Sequence, residues 1–211
     1  MSQAAAKPTR CPATYADLLA VPEPLVAEIL FGELVTHPRP APRHAHAALR
    51  LGTILSGPFD LGVNGPGGWV LLGEPELHLG EHVVVPDFAG CRCERFPSFP
   101  DTAWIDIAPD WVCEVLSPST ESYDRGDKRL IYAEAGVAHV WHINPLLKML
   151  ESYELSDGKW LLLDVFRDDA QVAAAPFAEC SFSLALLWSL GRLPSARARP
   201  RAPARKRGKR K

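Results

Sequence analysis

Two carboxylates stand where apolar strands leave little room for charge. Asp87 ends the run Val83-Val84-Val85-Pro86-Asp87-Phe88, and Glu114 lies inside Trp111-Val112-Cys113-Glu114-Val115-Leu116. An acid taken out of water is costly unless it is paired or holds a cation. A third group, Lys128, shares a helical face with Ile131, Tyr132 and Ala135, at spacings of three, four and seven residues. Its stem therefore runs along the packed side of the helix. Two acids on neighbouring strands and a nearby ammonium can hold a hard divalent cation beside a phosphate. Mg²⁺ needs only one or two carboxylates and keeps several waters. Such a cation acidifies water and neutralises charge on the phosphate, and a lysine can stabilise developing negative charge. Blander readings compete. An Asp after Pro is often a turn residue, a strand Glu often faces water from a sheet edge, and a lysine at a helix start often snorkels. For Lys128 the spacing alone favours snorkelling.

Other chemistries find no support in the sequence. It has no Gly-rich phosphate loop, no GxSxG elbow and no HExxH helix. The five cysteines, Cys11, Cys91, Cys93, Cys113 and Cys180, form no CxxC pair and no zinc spacing. Their odd number and the lack of a signal-peptide pattern lead to the expectation of a reducing cytoplasm. No apolar run approaches the roughly 18–20 residues that span a bilayer, so no membrane partner is expected. A pair of carboxylates could also serve a metal-independent hydrolase such as a glycosidase, which chelation would not inhibit.

The elements that must position these residues follow from local pattern. Thr14 and Asp17 form a capping box, so a short helix starts near Thr14. Residues 28–36 read as a strand or hairpin bent at Gly32, and Pro38, Pro40 and Pro42 force a loop. Arg43 to Leu55 has amphipathic helical periodicity, and residues 57–68 are turn chemistry. Strands are expected near 69–72, 76–79, 82–88 and 110–116. A helix over 127–135 closes at Gly136, and a strand over 139–144 ends at Asn144-Pro145. A hairpin over 149–155 and 160–165 turns at Asp157-Gly158, and a last helix is expected over 184–190. The order predicts a mixed α/β sheet flanked by helices, with extra β-hairpins, over residues 13–190. Residues 1–12 read as a disordered leader and residues 191–211 as a disordered basic tail.

At these residues the chain resembles the Uma-type restriction endonucleases, a branch of the PD-(D/E)XK nuclease superfamily. The resemblance rests on GELVTHPRPAPRHAHA, GPGGWVLLGEPELHLGEHVVVPDFAG and APDWVCEVLSPSTESYDRGDKRLIYAEAGVAHVWHINP. These stretches run in family order over about residues 25–165. It implies a restriction-endonuclease-like core and a Mg²⁺- or Mn²⁺-dependent endonuclease acting on DNA. It implies that Asp87 and Glu114 bind the metal, helped by a backbone carbonyl after Glu114, and that Lys128 positions the attacking water. Leu116 stands where the superfamily usually has its lysine, which puts that role on Lys128 of the following helix. Glu28 matches a recurrent acid that helps hold metal, although a solvent-facing strand acid is an equal alternative. His44 matches a recurrent histidine that contacts phosphate or caps its helix. Glu74 and Glu76 match acids that support the site from behind, and Asn144 replaces a frequent Asp in a turn. The same resemblance admits a catalytically silent nucleic-acid-binding or mobile-element accessory protein on a nuclease fold, because fold does not fix function. A homodimer is left open.

Charge is distributed unevenly. Arg197, Arg199, Arg201, Arg205, Lys206, Arg207, Lys209, Arg210 and Lys211 stand in a segment with no acid, while the net charge is −2. The remaining chain carries 14 basic and 25 acidic residues. An acidic body repels DNA, and the tail offers a sequence-independent handle for the phosphate backbone. If roughly five tail charges engage duplex DNA, truncation after Pro194 flattens the slope of log affinity against log salt by about four. Turnover at saturating DNA stays near the full-length value. Binding titrations at several salt concentrations check this, and equal slopes would rule the tail out as a DNA contact.

Overall fold

The computed structural model describes residues 11–191. The nine basic tail residues and almost all of the leader lie outside the described residues. The chain begins with α1 (Tyr15–Leu19), whose Thr14 cap forms the expected capping box with Asp17. The hairpin β1 (Leu25–Leu30) and β2 (Glu33–Pro38) turns at Phe31 and Gly32, with φ of 50° and 76°. Two consecutive positive φ values define the tight hairpin turn in which glycine is favoured.

Helix α2 (Pro42–Leu55) begins earlier than its periodicity suggests. Pro42 takes the first helical position, where a missing N–H costs nothing, so this proline starts the helix and does not extend the loop. A π-helical turn, Ser56–Asp60, continues it into what reads as turn chemistry. Strands β3 (Trp69–Gly73) and β4 (Glu76–Leu79) fall where expected. The run 82–88 is not one strand. It splits into β5 (His82–Val84) and β6 (Phe88–Arg92), and these belong to different sheets. Pro86 is the physical reason, because it has no N–H to give a ladder.

Strand β7 (Trp104–Ile105) and β8 (Trp111–Val115) follow. Helices α3 (Glu121–Arg125) and α4 (Asp127–Glu134) connect β8 to β9 (His139–Asn144), which pairs parallel to it. Helix α3 is absent from the sequence reading because five residues carry too little periodicity. Strands β10 (Met149–Ser156) and β11 (Lys159–Arg167) form the hairpin over Asp157-Gly158. Two-residue strands β12 (Gln171–Val172) and β13 (Phe182–Ser183) close the fold. The expected last helix is only a 3₁₀ turn, Leu184–Leu187.

The mixed α/β expectation holds. The first large sheet has the order β11-β10-β9-β8-β6-β3, the second β2-β1-β5-β4-β7, and β12 pairs with β13 alone. Alternation along the central strand β8 divides the protein into two cores. Trp111, Cys113 and Val115 pack with Leu51 and Leu55 of α2 and with Trp141. Val112 packs on the opposite face with Ile131 and Tyr132 of α4 and with Leu30, Leu77 and Val84 of the second sheet. Glu114 shares the parity of Val112, so it points toward α4 and the second sheet. Among the described residues no helix is long and apolar enough to cross a membrane.

Trp111 is fully buried and meets Trp141 and Phe177 edge-on. Trp111→Ala should lower stability by about 3–5 kcal/mol through lost contacts and a cavity. Urea denaturation checks this, with a loss below about 1 kcal/mol contradicting the packing role.

Candidate functional site

The break between β5 and β6 carries the chain from one sheet to the other, and the site forms there. Beyond the last paired residues, Phe88 and Cys113, the register would set Asp87 opposite Glu114. Asp87 Oδ2 instead accepts the Val115 N–H at 2.7 Å, extending the ladder by a side chain. Its Oδ1 lies 3.2 Å from His44 Nε2 on α2. His44 thus neither caps its helix nor stands free. Burial alone would lower its pKa, but the bond to Asp87 and the charges of Asp87 and Asp124 raise it.

Lys128 is 2% exposed, so the snorkelling reading fails. Its Nζ lies 2.8 Å from Glu114 Oε1, 3.1 Å from Glu28 Oε1 and 3.4 Å from Asp124 Oδ1. It also reaches the Val85 carbonyl at 3.4 Å. One ammonium therefore joins β1, β8, α3 and the β5–β6 break. Glu28 is buried, which removes its reading as a solvent-facing acid. Its Oε1 accepts the Val85 N–H at 2.7 Å, and its Oε2 lies 3.2 Å from His37 Nε2. The Tyr132 hydroxyl donates to Glu114 Oε1. Asp124, Tyr132 and His37 were not singled out as polar partners in the sequence. Asp124 stands four residues before Lys128 but on the separate short helix α3, so only its spacing to the lysine hints at the pair. His37 sits diagonally across the hairpin from Glu28, two residues from its direct partner Val35.

One lysine treats its acids unequally. Burial would raise Glu28, yet Lys128 and the hydrogen bonds from His37 and Val85 hold it down at about 2. Glu114 goes the other way: burial, and the negative charges of Asp124, Asp87 and Glu28, outweigh Lys128 and push it well above the carboxylate range. Asp124 is raised by burial as well. Lys128 is driven well above its ordinary value because its carboxylate neighbours outweigh desolvation. The cluster is short of positive charge.

Asp87, Glu114 and Lys128 line one cleft of about 600 Å³, together with His44, Glu74 and Glu76. The Glu74 N–H donates to the Asp87 carbonyl at 3.0 Å. Glu76 is tied on the far side to Tyr15 and His78, and Asn144 organises the turn after β9 by accepting the Leu146 and Leu147 N–H groups. Among the described residues, no set of three or more His, Cys, Asp or Glu side chains is arranged to hold a metal ion. Asp87 and Glu114 still fit a hard cation that takes two carboxylates and keeps its waters, since both are oxygen donors in a cleft where acids outnumber the one ammonium of Lys128.

The model of the family described as "Uma2: Putative restriction endonuclease" matches residues 12–187. The chain belongs to the Uma2 family. The match spans every helix and strand, from α1 to β13. The chain is similar to a crystal structure from Anabaena variabilis ATCC 29413, described as "a putative nuclease belonging to DUF820". Identity is 24%, the TM-score is 0.68, and the likeness covers 84% of this chain and 98% of that one. It places this Uma2 chain on the same fold. No curated protein matches the chain.

Lys128→Met leaves Glu28, Glu114 and Asp124 without their shared cation and should cost about 3–5 kcal/mol at neutral pH. The carboxylates then hold protons more tightly folded than unfolded. More protons bound in the native state means that stability falls as pH rises. Urea unfolding should therefore find the variant more stable at pH 5 than at pH 8, relative to wild type; a pH-independent loss would contradict the charge account.

Proposed function

We propose that this chain is a Mg²⁺- or Mn²⁺-dependent endonuclease that hydrolyses phosphodiester bonds in DNA. The observation that carries this reading is the convergence of Asp87, Glu114 and Lys128 in one cleft from a sheet-crossing break, a central strand and a helix. Family membership supports it independently. Asp87 and Glu114 would hold the cation. When bound, the cation supplies positive charge that makes water more acidic and draws charge from the phosphate. The remaining work falls to the chain. Lys128 holds a fixed charge at the cleft wall, where it orients the attacking water and stabilises the phosphate as negative charge grows. Its bond to Glu28 keeps it charged and in place. His44 orients Asp87 from α2, and the Val115 N–H fixes the second oxygen. Water adds to phosphorus and gives up one proton to solvent, the bond to the leaving sugar oxygen breaks, and that oxygen takes a proton back from solvent, so that one water is consumed. The reading as a metal-independent hydrolase predicts no effect of chelation.

Plasmid and single-stranded DNA, incubated with Mg²⁺, with Mn²⁺ and with EDTA, test the proposal. Cleavage should require the metal. Asp87→Ala and Glu114→Ala should abolish it while the chain stays folded, at some cost in melting temperature because the Val115 N–H and Lys128 each lose a carboxylate partner. Metal-dependent cleavage at the wild-type rate by either variant would overturn the assignment. Lys128→Ala should lower turnover by about 10²- to 10³-fold, and Lys128→Arg should rescue little, because a planar guanidinium cannot replace a compact ammonium. No cleavage under any condition would favour the catalytically silent reading.

A further inference from the structure

Beside the cleft lies a second cavity of about 230 Å³, lined by Phe99, Thr102, Trp104, Pro75 and Glu76. Glu76 lines both spaces. Its Oε1 receives two hydrogen bonds, from Tyr15 Oη at 2.8 Å and from His78 Nε2 at 2.8 Å. Among the described residues no partner is found for Oε2. The rings behind it are locked together. His78 stacks on Trp104 with centroids 4.8 Å apart, and Tyr15 meets both edge-on at 5.0 and 5.5 Å. Two donors and this aromatic packing hold the Glu76 carboxylate in place at the wall shared by both spaces. On the other side Phe99 is 69% exposed and touches Phe96 edge-on. The Thr102 hydroxyl donates to the Trp104 carbonyl at 2.7 Å, which stiffens the segment between the two aromatics.

We propose that this cavity takes one unpaired nucleobase of the substrate and selects a base bearing an exocyclic amino group. The inference rests on the nuclease reading, because a polynucleotide in the cleft would bring a base to the shared wall at Glu76. An exposed aromatic ring gives any base a stacking surface. A fixed carboxylate oxygen accepts from the amino group of cytosine or adenine, whereas thymine sets its O4 acceptor where cytosine has that donor, and the carboxylate repels it. The pocket therefore favours single-stranded or locally opened DNA over a closed duplex, whose bases are stacked away.

The test uses the full chain in EDTA, so that binding is read without cleavage. Fluorescence polarisation is measured with labelled single-stranded oligonucleotides of deoxycytidine, deoxyadenosine and thymidine of equal length. Wild type should bind the first two about tenfold more tightly than the third. Glu76→Ala should erase that preference. Phe99→Ala changes an exposed side chain and should leave the fold intact; it should weaken all three by about tenfold. Equal wild-type binding of the three, or unchanged binding by Phe99→Ala, would overturn the pocket. Cleavage of plasmid in Mg²⁺ is scored separately. Base preference without cleavage keeps the pocket and removes the nuclease reading, and cleavage without base preference does the reverse.

Discussion

A buried ammonium surrounded by carboxylates is the constraint on which the rest of the molecule turns. Lys128 draws Glu28 from the second sheet, Glu114 from the first and Asp124 from α3 to a single point. Each acid would be costly in an apolar interior alone. Together they need a cation, and α4 delivers one. The same contact fixes how the two sheets meet, because its members come from both. Replacing such a cluster with apolar residues would often stabilise a protein. Its placement along a cleft therefore points to function more than to stability.

Pro86 makes this geometry possible. A continuous strand from His82 to Phe88 would keep the chain in one sheet. The proline interrupts the ladder, β6 crosses to the larger sheet, and Asp87 is left at the crossing with an oxygen free to take the Val115 N–H. The backbone on the other side of the break is used equally. The Val85 N–H serves Glu28 and its carbonyl faces Lys128. Val85 thereby joins the acid of β1 to the lysine of α4, and Asp87, two residues on, ties the break to β8.

The surplus of negative charge gives the site its electrical character. Glu28 is fully compensated by Lys128, His37 and a backbone N–H, whereas Glu114 sits among further acids and resists ionisation. A site with this imbalance has a place for added positive charge. The raised pKa of His44 belongs to the same field, since Asp87 and Asp124 both favour its charged form.

The sequence by itself determined the local elements and the identity of the unusual residues. The capping box at Thr14, the turns at Gly32 and Asp157-Gly158, the helix ending at Gly136 and the strand 139–144 are all encoded within a few residues of one another. Acids within apolar strands are visible because alternation and burial are local signals. Tertiary structure alone decided what those acids touch. Lys128 looked like a snorkelling lysine because helical spacing shows a face and not what packs on it. Asp124 and the short α3 lacked periodicity, and the pairing of His44 with Asp87 joins a helix and a strand break 43 residues apart. The division of 82–88 between two sheets was equally hidden. A valine run reads as a strand whichever sheet it joins, and only the competition between sheets for backbone partners resolves it.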